Sequence, residues 1–131
     1  MRRHTRSRQV LGSILSMTVA GTIGACDGTQ TVSLTAEDFR FSPDLVQVTA
    51  SSPLTLTVYN AGREVHEFDS PILMYAAKIP SEGANDKSGG PGIAISPGQS
   101  LRILVAPPPG TYLYICRRKG HANMTGTLIV E

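Results

Sequence analysis

From Thr31 onward the chain is built of short segments that alternate apolar and polar residues. "TVSLTA" (31–36) alternates, and "DFRF" continues it with Phe39 and Phe41 on one face. "DLVQVTA" sets Leu45 opposite Val46 and Val48, and "LTLTVYN" alternates cleanly up to a turn at Asn60, Ala61 and Gly62. "REVHEFD" reads as a further short strand, and after an interruption the pattern resumes in "IAIS", "SLRILVA", "TYLYIC" and "TGTLIVE". A period of two places every second side chain on a buried face, so the alternating Leu, Val and Ile supply a core. "PGQ" and "PPPG" are turns, with proline where no ladder N–H is needed. About eight short strands with almost no helical periodicity predict an all-β fold, a Greek-key β-sandwich or barrel.

Two regions depart from this pattern. Residues 70–92, "SPILMYAAKIPSEGANDKSGGPG", open with "ILMYAAK", which suits a helical turn or two, and continue as a glycine-rich polar excursion. Residues 1–25 are different in kind. "MRRHTRSRQ" carries four arginines and no acid, and "VLGSILSMTVAGTIGA" carries no charge. That apolar run falls short of the ~18 residues of a spanning helix, so residues 1–25 read as a secretory signal peptide. The segment ends in "TIGACDG", which resembles the lipobox of bacterial lipoproteins, with Ile23, Gly24, Ala25 and Cys26 in its four places. The resemblance implies a diacylglycerol on the Cys26 thiol and a mature chain that begins there. Residues 26–33 would then be the lipidated N-terminus and a short tether, and residues 34–131 the folded domain. Asp27 resembles the signal that retains such lipoproteins in the inner membrane. The expectation is an exported protein, lipid-anchored on the outer face of a bacterial cytoplasmic membrane.

Removing the signal reverses the charge balance. The whole chain has 12 Lys plus Arg against 10 Asp plus Glu, a net charge of +2. Without Arg2, Arg3, Arg6 and Arg8, eight basic residues face the ten acids, and the balance is −2. The basicity belongs to export, and nucleic acid is not an expected partner. The remaining ~106 residues can bury somewhat over 60% of their unfolded surface, enough for one modest core. With Cys26 lipidated, Cys116 is a free thiol in an oxidising compartment, a hazard unless something occupies it.

The last twenty residues, "YLYICRRKGHANMTGTLIVE", place Cys116, His121 and Met124 within nine positions. His66 lies some fifty residues earlier in "REVHEF". Connections of the Greek-key type bring the ends of distant strands together, so His66 can close over the Cys–His–Met turn. Two imidazoles, a thiolate and a thioether suit copper, because the soft sulfurs favour Cu(I) while imidazole serves both oxidation states. Zinc would accept the two histidines and the cysteine but gains little from Met124. A Cys–His nucleophile pair is also conceivable, although no other motif supports it. Met74 is expected to pack rather than to ligate.

On these residues the chain resembles the cupredoxins, the small blue-copper proteins related to plastocyanin and azurin. "PGTYLYIC" resembles the approach to the cysteine ligand, "CRRKGHANMTGTLIVE" the ligand loop and last strand, and "NAGREVHEF" the segment bearing the first histidine. The resemblance covers roughly residues 34–131 apart from the excursion. It implies one mononuclear type 1 copper, with His66, Cys116 and His121 in the plane and Met124 axial. It also implies one-electron transfer, and the expected membrane location puts a cytochrome or respiratory complex within reach as redox partner. Catalysis is not expected, since only two histidines remain and further metal sites would need more. In related proteins the exposed edge of the later histidine is the usual electron exit, which here points to His121. Arg117, Arg118 and Lys119 beside the site read as a solvated loop or as a docking patch for an acidic partner. Extracytoplasmic copper delivery or sequestration is the alternative role. Two departures stand out: only two residues separate His121 from Met124, and Glu67 follows the first histidine where several relatives have Asn. An ionised carboxylate cannot donate the hydrogen bonds of an amide, so the surroundings of the ligands differ there.

Overall fold

A computed structural model describes residues 28–50, 52–78 and 92–131. Residues 1–27, where the signal peptide and lipidated Cys26 are expected, and most of the glycine-rich excursion lie outside the described residues. Nine strands occur among the described ones: β1 (Gln30–Glu37), β2 (Arg40–Ser42), β3 (Leu45–Val48), β4 (Leu54–Asn60), β5 (His66–Phe68), β6 (Ile93–Ile95), β7 (Ser100–Val105), β8 (Gly110–Ile115) and β9 (Thr125–Val130). A 3-10 helix spans Pro71–Tyr75, where "ILMYAAK" suggested a turn or two of helix. The Ser70 hydroxyl accepts from the Ile72 N–H at 3.3 Å, and Pro71 needs no partner at the helix start.

The strands form two facing sheets. The first runs β2-β1-β4-β7 and the second β3-β9-β8, with β5-β6 as a two-stranded ribbon. The chain passes from the first sheet to the second at β3, returns at β4, and crosses again between β7 and β8. Two parallel pairings result, β1 with β4 and β3 with β9, while β4–β7 and β8–β9 are antiparallel. This is the expected Greek-key β-sandwich. The period of two does the packing: Leu34 and Ala36 of β1, Leu54, Leu56 and Val58 of β4, Ile103 and Val105 of β7, and Leu128 and Val130 of β9 are all buried. Between the sheets, Phe41 meets Tyr114 edge-on at 5.3 Å and Phe68 stacks on Tyr114 at 5.9 Å. Tyr114 lies over Gly126, its cross-strand partner, where an added Cβ would fall 2.2 Å from the ring.

One bridge fixes the architecture of the site end. Asp69 and Ile115 exchange main-chain hydrogen bonds of 3.0 and 2.9 Å, joining the end of β5 to the end of β8. His66 opens β5 and Cys116 follows β8, so this antiparallel contact brings them to the same pole.

Two expectations fail here. Phe39 and Phe41 do not share a face, because the chain reverses between β1 and β2. Phe39 adopts a left-handed φ of 72° at that reversal and is exposed, whereas Phe41 is buried. The single segment expected over 31–41 is therefore a hairpin, which raises the strand count to nine. Met74 does not pack: it is 83% exposed on the 3-10 helix.

Candidate metal centre

The loop from Cys116 to Met124 is folded on itself by three main-chain hydrogen bonds. His121 N–H donates to Arg118 O, Met124 N–H donates to His121 O, and Cys116 N–H closes the loop on Met124 O, each at 3.0 Å. Gly120, with φ of 91°, supplies the left-handed turn that the first of these needs. Cys116, His121 and Met124 are all buried, and Met124 is wholly so.

The segment carrying His66 is held from the other side. Asn60 is fully buried at the end of β4, where its amide Nδ2 donates to Glu64 O and Ile95 O, both at 2.7 Å. Its Oδ1 accepts from Gly62 N–H at 2.8 Å. One side chain thus ties the 60–64 turn to β6, and His66 itself pairs with Ile95.

Three donor atoms converge as a result. His66 Nδ1 and His121 Nδ1 are 3.3 Å apart, and Cys116 Sγ lies 3.4 Å from His121 Nδ1. His66, Cys116 and His121 each offer one atom within 4.8 Å of the others, all buried. Sulfur and imidazole bonds to a first-row metal of about 2.3 and 2.0–2.1 Å put neighbouring donors roughly 3.3–3.7 Å apart at trigonal to tetrahedral angles. The observed spacing fits that, and two ring nitrogens beside a buried thiol have no better common partner than a cation. The residues therefore fit the metal that their types suggested. Cys116 is a free thiol and carries no disulfide. The Glu67 main-chain N–H donates to its sulfur at 3.4 Å.

Carboxylates face the outer edges of both rings. Asp38 Oδ1 lies 3.4 Å from His66 Nε2, off the line of the N–H, so this buried nitrogen has no aligned acceptor among the described residues. Asp38 also accepts from Arg63 N–H at 3.0 Å, and this main-chain bond holds its carboxyl below the ordinary range. Burial first, and the neighbouring His121 second, push His66 toward its neutral form. Glu64 Oε2 lies 3.1 Å from His121 Nε2, and the Phe39 ring stands edge-on to the His121 ring at 5.1 Å. His121 is only 3% exposed, so the open edge expected of an electron exit is absent. Glu67 is buried, with Oε1 unpartnered among the described residues, and its main chain rather than its side chain reaches the cysteine.

The basic triplet is not uniformly solvated. Arg117 pairs with Asp69 at the β5–β8 bridge, and that carboxylate raises its pKa further. Lys119 is exposed and Arg118 half-buried. Asn60 read as a turn residue in the sequence and is the hub of the His66 segment. Asp38, Glu64 and Phe39 were missed, since they reach the site through the hairpin and the 60–64 turn and carry no spacing signal.

Known proteins share this fold. A family model described as a cupredoxin-like domain matches residues 10–86, which include His66. Three solved structures are similar at a TM-score of 0.55 each. Auracyanin B is 24% identical, with 78% of this chain and 88% of that chain covered. An auracyanin from the photosynthetic bacterium Roseiflexus castenholzii is 21% identical over 79% and 99%. Auracyanin A, a "blue" copper protein from the green thermophilic photosynthetic bacterium Chloroflexus aurantiacus, is 24% identical over 79% and 100%. At these identities the likeness is one of fold. No curated protein matches the chain.

Proposed function

The chain belongs to the cupredoxin family, and on that premise we propose that it is a one-electron carrier with a single copper held by His66, Cys116, His121 and Met124. The observation that supports this reading is the buried triangle of two Nδ1 atoms and one Sγ, 3.3–3.4 Å apart along two of its sides. Met124 would serve as the fourth donor, since its backbone is bonded to both Cys116 and His121 and the residue is wholly buried. Bound there, copper would supply one-electron chemistry between Cu(I) and Cu(II).

The protein's residues make that exchange cheap in reorganisation. Burial of His66, Cys116 and His121 keeps water from joining the donor set. The loop closed by Cys116 N–H to Met124 O, and the Asn60 amide behind His66, hold the donors where they are in either redox state. The Glu67 N–H at the sulfur partly neutralises thiolate charge, which limits how strongly the oxidised metal is favoured. A site closed on all sides favours electron transfer over copper delivery.

The mature protein is lipid-anchored through Cys26 on the outer face of a bacterial cytoplasmic membrane, with residues 1–25 removed. Its partner is an acidic redox protein, such as a cytochrome or a respiratory complex, that meets the positive face of Arg117, Arg118 and Lys119. The "TIGACDG" motif and the charge of that loop support these assignments. Redox titration of the copper-loaded domain tests the carrier role. One electron per protein is taken up and returned through repeated cycles, whereas loss of the metal on reduction would favour delivery.

A further inference from the structure

His121 presents Nδ1 to the donor cluster and Nε2 to the protein's edge, where two side chains from different elements cover it. Glu64 brings a carboxylate oxygen to 3.1 Å from Nε2. Phe39 brings its ring edge-on at 5.1 Å between centroids. Glu64 is 61% and Phe39 54% exposed, while the histidine beneath them is 3% exposed. The cover is thus a surface layer one side chain thick over an otherwise closed site.

We propose that Glu64 and Phe39 act as a positioning lock on His121, with Glu64 fixing the hydrogen on Nε2 and Phe39 shielding that bond from water. This rests on the copper-carrier reading for its effect on potential, though the lock itself is a property of the polypeptide. A carboxylate accepting from Nε2–H leaves Nδ1 bare and facing Cys116 Sγ at 3.4 Å, the tautomer a metal needs. It also makes the imidazole a stronger donor, and a stronger anionic donor set favours Cu(II) over Cu(I).

The backbone at Phe39 argues that its ring is placed for a purpose. A φ of 72° is costly for a bulky residue, and glycine would adopt it freely. Phenylalanine at that position gives up backbone comfort, and the ring it brings stands against His121. A turn residue chosen for stability alone would be glycine or asparagine.

Two variants test the lock. Glu64→Gln keeps the shape and removes the charge. It should lower zinc affinity about tenfold. In the copper protein it should shift the Cu(II)/Cu(I) affinity ratio about tenfold toward Cu(I), a rise of about 59 mV for one electron. Phe39→Gly should leave the thermal midpoint unchanged or raised, yet make His121 of the metal-free protein several-fold more reactive toward diethyl pyrocarbonate. A purely structural role would lower the midpoint instead. Zinc affinity and potential unchanged in Glu64→Gln, or His121 equally reactive with and without the Phe39 ring, would overturn the proposal. A wild-type protein that binds no copper would overturn the carrier reading, and the zinc and modification results would still decide for or against the lock.

Discussion

The Asn60 amide donates to the main-chain oxygen of Ile95 at 2.7 Å, across thirty-five residues of chain, while its second N–H holds Glu64 O. This one buried side chain ties together the end of β4, the turn before His66 and the strand paired with His66. Asn60→Ala leaves these two carbonyls without that donor. The expected loss is about 2–3 kcal/mol of stability, read from urea unfolding of the metal-free protein. Metal affinity should fall with it, because His66 is no longer held.

Gly62 matters for space rather than for turn conformation. A Cβ there would stand 2.3 Å from Asp38 Oδ1 and 2.7 Å from His66 Nε2. Gly62→Ala must therefore push Asp38 or the His66 ring aside. Metal affinity should drop roughly 10–100-fold, as for loss of a group that orients a ligand. Isothermal titration with zinc would measure it, and an unchanged affinity would show that the ring has room to yield.

Tyr114 gives the protein an alkaline limit. Its hydroxyl donates to Pro43 O at 2.8 Å, and burial, with a smaller contribution from Asp44, raises its pKa from 10.0 to about 12. The folded state thus binds the phenolic proton more tightly than the unfolded state. The stability this provides is fully present below pH 10 and is lost as pH rises through about 12. Tyr114→Phe should cost about 1 kcal/mol at neutral pH and flatten the fall in stability between pH 10 and 12. Unfolding curves taken across that range would show the same slope in both proteins if Tyr114 did not titrate there.

Much of this was legible in the sequence because period-two burial is a local signal. The alternation in "LTLTVYN", "SLRILVA" and "TGTLIVE" became β4, β7 and β9 with the expected faces inward. His66 and Cys116 converge because strand ends carry them, and strand ends are what the pattern locates; His121 joins them from the short loop between β8 and β9. Phe39 was misplaced because a left-handed turn at a bulky residue runs against every local preference, so the alternation was read straight through it. Asp38 and Glu64 were invisible for another reason: their roles arise from contacts made only once the hairpin and the 60–64 turn are folded. Met74 was expected to pack because methionine usually does, but the 3-10 helix turns it outward.

Lys119 provides a clean probe of the proposed docking face, since Arg117 is already engaged with Asp69. Lys119→Glu should slow electron exchange with an acidic partner roughly two- to fivefold at low ionic strength. The difference should vanish near 1 M salt, where the Debye length is about 3 Å. Stopped-flow rates at several salt concentrations would reveal it, and equal rates at low salt would remove Lys119 from the docking face.

The proposed copper site closes His66, Cys116, His121 and Met124 around one ion. Its most direct test is the visible and EPR spectrum of the purified domain after one equivalent of Cu(II), alongside Cys116→Ser. An intense thiolate-to-copper band in the wild type, lost in the serine variant, is the predicted result. A colourless wild-type protein that takes zinc in preference to copper would contradict it.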